Sequence, residues 1–308
     1  MPARAVVFAY HDVGVRCLSV LLAHGVEVTL ALTHRDDPRE TIWFASVERL
    51  AREHGIETLA PEAAQLPALA TRVAALAPDF VFSFYYRHML PPAMLAAARR
   101  GAYNVHGSLL PKYRGRVPVN WAILHGERET GATLHEMAAR PDAGRIVDRM
   151  AVPILPDDTA LDVFRKVTVA AEIVLDRSLP ALLEGRARLV AQDLAQGSYF
   201  GGRKPEDGRI DWSKGARGIH DLVRAVAPPY PGAFTTIGGS TLRVLRTRVV
   251  EGRGDAPRIL AESDRILARC IDGATLHILE AELDGRPLSA AQFLDRYGRE
   301  GARPGDPQ

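Results

Sequence analysis

Two residues with complementary chemistry stand two apart where a short apolar run ends: Asn104 and His106, within Tyr103-Asn104-Val105-His106-Gly107. On an extended strand, positions i and i+2 project from the same face. An amide N–H and an imidazole N–H aimed at one point make a site for an oxygen that gains negative charge during acyl transfer. A carboxylate beside the imidazole would favour its charged form and orient the ring. Asp142, in the turn Pro141-Asp142-Ala143-Gly144, is the candidate. Gly107 permits a sharp turn after the strand, and Pro111 fixes the loop beyond it. Spacing alone leaves a second reading open, with Asn104 a turn former and His106 a hydrogen-bonded core residue.

Such a set must be held by regular elements. The first half of the chain alternates short apolar runs with helical patterns. Strands are expected at Ala5–Ala9, Val26–Leu32, Ile56–Leu59, Phe80–Phe84 and Tyr103–Val105. Helices are expected at Val13–His24, Ile42–Glu53, Leu66–Ala77 and Pro91–Arg99. This alternation implies a Rossmann-like, mostly parallel sheet with helices on both faces, which binds ligands at the carboxyl ends of its strands. Two more strands, Thr133–Met137 and Arg145–Val152, flank the Asp142 turn. A long helix over Asp157–Glu184 follows, with Asp157 or Asp158 as its cap. Gln196–Arg209 reads as a linker or mobile loop. One helix (Ala216–Ala227) and short strands at Ala233–Ile237, Leu242–Val250, Ile266–Cys270 and Thr275–Leu283 suggest a small OB-like β-barrel. The domains are therefore expected at 1–199 and 200–308. The tail Ala302–Gln308 reads as disordered.

Composition narrows the function. The chain has 308 residues with 39 basic against 37 acidic side chains, too balanced for a nucleic-acid surface. Cys17 and Cys270 offer neither a disulfide framework nor paired metal spacing, so no metal is expected. The start of the chain lacks signal-peptide features and no apolar run is long enough to span a membrane, which suggests a cytoplasmic protein without membrane insertion. The first loop, Tyr10-His11-Asp12-Val13-Gly14, lacks the G-x-G-x-x-G fingerprint, and there is no Walker A loop. NAD and ATP chemistry are thus disfavoured.

The segment His106-Gly107-Ser108-Leu109-Leu110-Pro111-Lys112-Tyr113-Arg114-Gly115 resembles the signature of the 10-formyltetrahydrofolate-dependent formyltransferases. That resemblance extends through Thr130–His135 and Tyr230–Phe234, and so covers most of the chain. It implies Asn104, His106 and Asp142 as the catalytic set and 10-formyltetrahydrofolate as co-substrate. It also implies a folate wall made by His88, Met89, Leu90, Arg116 and the turn Ala138, Ala139, Arg140, Pro141 and Asp142. Without the resemblance, Met89 and Leu90 would read as core and Arg116 as a solvated charge.

Within the family, Val6–Asp12, Phe82–His88 and the extended signature are most similar to the branch acting on UDP-4-amino-4-deoxy-L-arabinose, in lipid A modification and polymyxin resistance. Bifunctional relatives carry a dehydrogenase domain, and a chain of this length is expected to be a free-standing version or an isolated piece. A UDP-sugar partner needs cations for its diphosphate and an aromatic or backbone partner for its base. Phe200, Arg203, Lys204, Arg224 and Tyr230 are the candidates. The alternatives are methionyl-tRNA formyltransferase, a formyltransferase for another amino-sugar nucleotide, and a non-catalytic binding module. If Asn104, His106 and Asp142 act as a unit, His106→Ala should lower turnover by roughly 100- to 1,000-fold in a formyl-transfer assay, and near-native turnover would refute the assignment.

Overall fold

The computed structural model describes residues 1–38, 41–252 and 256–305. In chain order the first elements are β1 (Arg4–Ala9), α1 (His11–Ala23), β2 (Glu27–Leu32), α2 (Val47–Glu53), β3 (Thr58–Leu59), α3 (Leu66–Ala75), β4 (Phe80–Phe84), α4 (Pro92–Ala96) and β5 (Gly101–His106). Then come β6 (Arg114–Gly115), α5 (Pro118–Leu124), β7 (Glu129–Glu136), β8 (Ile146–Pro153), α6 (Ala160–Leu183) and β9 (Tyr199–Phe200). The remainder is α7 (Ala216–Ala225), β10 (Ala233–Ile237), β11 (Ser240–Val250), β12 (Arg258–Glu262), β13 (Arg265–Arg269), β14 (Thr275–Leu283), β15 (Arg286–Pro287) and α8 (Ala290–Tyr297).

The chain packs as two compact units. One comprises Met1–Pro118, Glu129–Val152 and Phe164–Gly201; the other comprises Val119–Arg128, Pro153–Val163 and Gly202–Gln308. The first holds a seven-stranded sheet in the order β3-β2-β1-β4-β5-β7-β8. Strands β1 and β4 are buried along nearly their whole length, as continuous apolar runs covered on both faces should be. The sheet is parallel from β3 to β5 and turns antiparallel at β7, where Asn104 faces His135 and His106 faces Thr133. Strand order reverses between β1 and β4, which opens a crevice at their carboxyl ends. The second unit holds an antiparallel sheet, β10-β11-β14-β13-β12, with β15 beside β14. Among the described residues no pairing joins β10 to β12, so the sheet is a curled half-barrel.

Several sequence expectations need correction. Helix α2 begins at Val47 because the Ser46 hydroxyl caps it, accepting from the Arg49 N–H at 3.2 Å. Ile42–Ala45 is not helical: Trp43 and Phe44 instead pack around His11. Helix α6 is capped by Thr159, not by Asp157 or Asp158. The Asp162 N–H donates to the Thr159 hydroxyl at 3.3 Å, and the Asp162 carboxylate accepts from the Thr159 N–H at 2.9 Å. The expected mobile loop is tied down, since β9 pairs with β6. At the tail, Ala302 exchanges hydrogen bonds with Ile259 and the Gly305 N–H donates to Thr236; residues 306–308 lie outside the described residues. Strand β12 and helices α5 and α8 were not anticipated.

The α6 cap is a reciprocal capping pair, a device whose loss removes a satisfied donor from the first turn. Thr159→Ala should therefore destabilise the protein by about 1 kcal/mol, read as a lower urea midpoint with an unchanged denaturant slope.

Candidate active site

The register of β5 against β7 builds the centre of the site. Asn104 lies directly opposite His135, and cross-strand partners share a face. The Asn104 Nδ2 stands 3.0 Å from the His135 Nε2. The His135 Nδ1 stands 2.8 Å from the Glu136 carbonyl oxygen, so it carries the proton. The Nε2 thus lies between the Asn104 amide and the Asp142 carboxylate.

His106, the last residue of β5, is anchored by its other edge. Its Nε2 donates to the Tyr113 carbonyl at 2.8 Å. Its Nδ1 faces the Asp142 Oδ1 at 3.6 Å. That is an ion-pair distance but longer than a hydrogen bond. The His135 Nε2 lies at the same 3.6 Å from this carboxylate oxygen. Both imidazoles are buried, with His106 7% and His135 2% exposed. The second carboxylate oxygen of Asp142 accepts the Gly115 N–H at 2.8 Å. Burial alone would raise the Asp142 carboxyl. The imidazoles of His106 and His135 and the Gly115 N–H outweigh it and hold the group well below the usual carboxylate range.

The loop after His106 is fixed at several points. The Ser108 hydroxyl donates to the Lys112 carbonyl at 2.6 Å. The Thr133 hydroxyl donates to the Ser108 carbonyl at 2.6 Å and accepts the Leu110 N–H at 3.2 Å. Beyond it, the Arg114 and Arg116 N–H groups donate to the Ser198 and Phe200 carbonyls, both at 3.0 Å. A Cβ on Gly107 would lie 2.0 Å from the Tyr85 hydroxyl oxygen, which explains a glycine directly after the imidazole.

The structure thus brings Asn104, His106 and Asp142 together and adds His135, which the sequence offers only within the segment Thr130–His135. Its signal was the period-two alternation of β7, which puts His135 and Thr133 on one face. The other expected residues are placed as follows. Met89 is 62% exposed beside buried Leu90 and half-buried His88, just beyond β4. Arg116 and Ala138–Arg140 are exposed, and Pro141 is half-buried. Phe200 stacks on Tyr113 with ring centroids 5.5 Å apart, in the same unit as Asn104, His106 and Asp142. In the other unit, the Arg203 guanidinium lies 4.9 Å over the Trp121 ring and donates to the Asp207 carbonyl. The Lys204 N–H caps a short turn by donating to Asp207. Burial pushes the Tyr230 hydroxyl up, against a hydrogen bond from Asn120. Arg224 is 3% exposed and bonded to Asp221 at 2.8 Å, so its guanidinium is not free for a diphosphate. Among the described residues, no cluster of His, Cys, Asp or Glu could hold a metal ion and no helix is long and apolar enough to cross a membrane.

This fold is that of a formyl-transferring enzyme. Residues 21–179, more than half of the chain, match the formyl transferase family, and residues 203–298 match the formyl transferase C-terminal domain: the chain belongs to the formyl transferase family. Among solved structures it is similar to an N-formyltransferase from Helicobacter canadensis in complex with folinic acid and dTDP-3-aminofucose. That likeness has a TM-score of 0.72 at 19% identity, over 90% of this chain and 99% of that one. A 4-N formyltransferase from Francisella tularensis matches with a TM-score of 0.60 at 20% identity, over 75% and 91%. Glycinamide ribonucleotide transformylase 1 from Symbiobacterium toebii matches with a TM-score of 0.54 at 26% identity, over 63% and 95%.

The depressed Asp142 carboxyl has a measurable consequence. A carboxylate whose folded pKa lies below its unfolded value stabilises the fold fully above the unfolded value, about 3.9, and loses that contribution as pH falls toward the folded one. The stability gap between the wild type and Asp142→Asn should therefore narrow as pH drops from about 5 to below 3. Urea midpoints measured across that range check it; a gap independent of pH would contradict the assignment.

Proposed function

We propose that this chain transfers the formyl group of 10-formyltetrahydrofolate to the 4-amino group of UDP-4-amino-4-deoxy-L-arabinose. The observation that carries the reading is the convergence of the Asn104 amide, the His106 Nδ1 and the Asp142 carboxylate on one buried point. Bound folate supplies an activated formyl group on nitrogen; the residues of this chain do the rest. The Asn104 amide donates to the formyl oxygen as an amine attacks the carbon. His106, held by Tyr113 on one edge, presents Nδ1 toward the departing nitrogen and can give it a proton as general acid, and the proton shed by the attacking amine restores the imidazolium. Asp142, kept ionised, stabilises the imidazolium that makes this possible. The 3.6 Å gap between Nδ1 and Asp142 leaves that proton uncommitted to a hydrogen bond.

His88, Met89, Leu90, Arg116 and the turn from Ala138 to Asp142 would hold the folate. The exposed Met89 fits this role. It is a large apolar side chain at a strand's carboxyl end that takes no part in the core, and such a group can cover one face of a flat ring. For the acceptor, a sugar nucleotide is favoured by the likeness to the sugar-linked formyltransferase from Helicobacter canadensis, and a 4-amino position by that to the Francisella tularensis 4-N enzyme. The L-arabinose assignment rests on the motif resemblance, and so does the setting in lipid A modification. Phe200, Arg203, Lys204 and Tyr230 are proposed contacts for the nucleotide; Arg224 is left out because Asp221 already pairs with it.

Offered formyl-folate with a panel of amines, the protein should formylate UDP-4-amino-4-deoxy-L-arabinose with the highest kcat/KM, ahead of a dTDP-amino sugar and methionyl-tRNA. Preference for the tRNA, with affinity falling steeply in salt, would overturn the acceptor while leaving the chemistry intact.

A further inference from the structure

The turn that presents Asp142 is held by a residue some fifty positions further along the chain. Ile146 and Val190 exchange both backbone hydrogen bonds at 2.8 Å, as an isolated antiparallel bridge. In antiparallel pairing one chain retreats as the other advances, so two residues beyond the bridge Gln192 comes opposite Gly144. The Gln192 Nε2 donates to the Asp142 carbonyl at 3.0 Å and to the Gly144 carbonyl at 2.6 Å. One side-chain amide therefore satisfies the carbonyls on either side of Ala143.

Two further observations show what this contact restrains. Asp142 has a φ of +52°, in the left-handed region that non-glycine residues rarely occupy, where a conformation persists only if its surroundings enforce it. Gly144 has no room for a side chain, because a Cβ there would lie 1.8 Å from the Glu136 carbonyl oxygen. The turn is thus pressed against the end of β7 and locked from the far side by Gln192. The orientation of the amide is dictated as well. Exchanging its two ends would set an acceptor oxygen against two carbonyl oxygens.

We propose that Gln192 is a positioning residue for formyl transfer: its amide clamps the left-handed Asp142 turn so that the carboxylate stays between His106 and His135. The role rests on the formyl-transfer reading above, but its structural half does not. Released from the clamp, the Asp142 backbone can return to an ordinary negative φ, and the carboxylate then swings away from both imidazoles. Gln192 has no contact with the reacting atoms, so its effect reaches them only through Asp142.

Two substitutions separate donation from packing. Gln192→Met keeps the length of the side chain and removes the donor. Gln192→Glu sets a carboxylate against the two carbonyls. Both should lower kcat by about 10- to 100-fold, as a small displacement of a catalytic group does, with the acceptor KM within about twofold of wild type. The deciding readout uses no substrate. A carbon-13 NMR titration of the Asp142 carboxyl should show its midpoint rising toward the ordinary carboxylate range in Gln192→Met. An unchanged midpoint would overturn the proposal whatever happens to kcat, since a packing defect alone leaves Asp142 between its imidazoles. If no amine proves to be formylated, the titration still decides whether the clamp exists.

Discussion

An ionised carboxylate shared by two buried imidazoles is the interaction on which this site depends. Taking the Asp142 charge out of water would be unfavourable by several kcal/mol without compensation. Compensation comes from His106 and His135, each 3.6 Å from Oδ1, and from the Gly115 N–H on Oδ2. The same contacts that make the buried charge tolerable also fix the carboxylate in place against both rings.

Each partner in that arrangement arrives by a different route. His106 and Asn104 come from the parallel half of the sheet, where β5 follows β4. His135 comes from β7, the first strand to run the other way. The change of direction is therefore part of the chemistry. An antiparallel neighbour places His135 directly across from Asn104, and the connection after β7 folds back to deliver Asp142 to the same face.

Much of the fold was legible because its central strands are nearly continuous apolar runs: Phe80–Phe84 is a strand in both readings, to the residue. The helical boundaries were less so. Ile42–Ala45 carries a helical pattern, yet Trp43 and Phe44 set their rings against His11 and the Ser46 cap starts the helix later. Strand β12 was missed because its pattern is short and begins next to a Gly- and charge-rich stretch. For the site, the grouping of Asn104, His106 and Asp142 was visible through its motif, but the contributions of His135 and Gln192 were not. Both act through hydrogen bonds between residues that are remote in sequence, such as the 31-residue separation of His135 from Asn104. No local pattern encodes such a separation. Arg224 shows the opposite failure: a cation that suits a phosphate by type is already paired with an aspartate three residues before it.

The segment from Ser198 to Phe200 reads as linker composition but behaves as a strut. Its carbonyls receive the Arg114 and Arg116 N–H groups, and the Ser198 hydroxyl accepts the Tyr113 N–H at 2.9 Å. Phe200 then stacks on the Tyr113 ring. Tyr113 is the residue whose carbonyl holds the His106 Nε2, so the strut sets the position of the imidazole at one remove. The backbone of a loop is a poor anchor when the loop is free to move, because its ordering entropy opposes every contact it makes. Pinned on both its N–H and its ring, Tyr113 offers His106 a carbonyl already in place, and the imidazole is oriented before any ligand arrives.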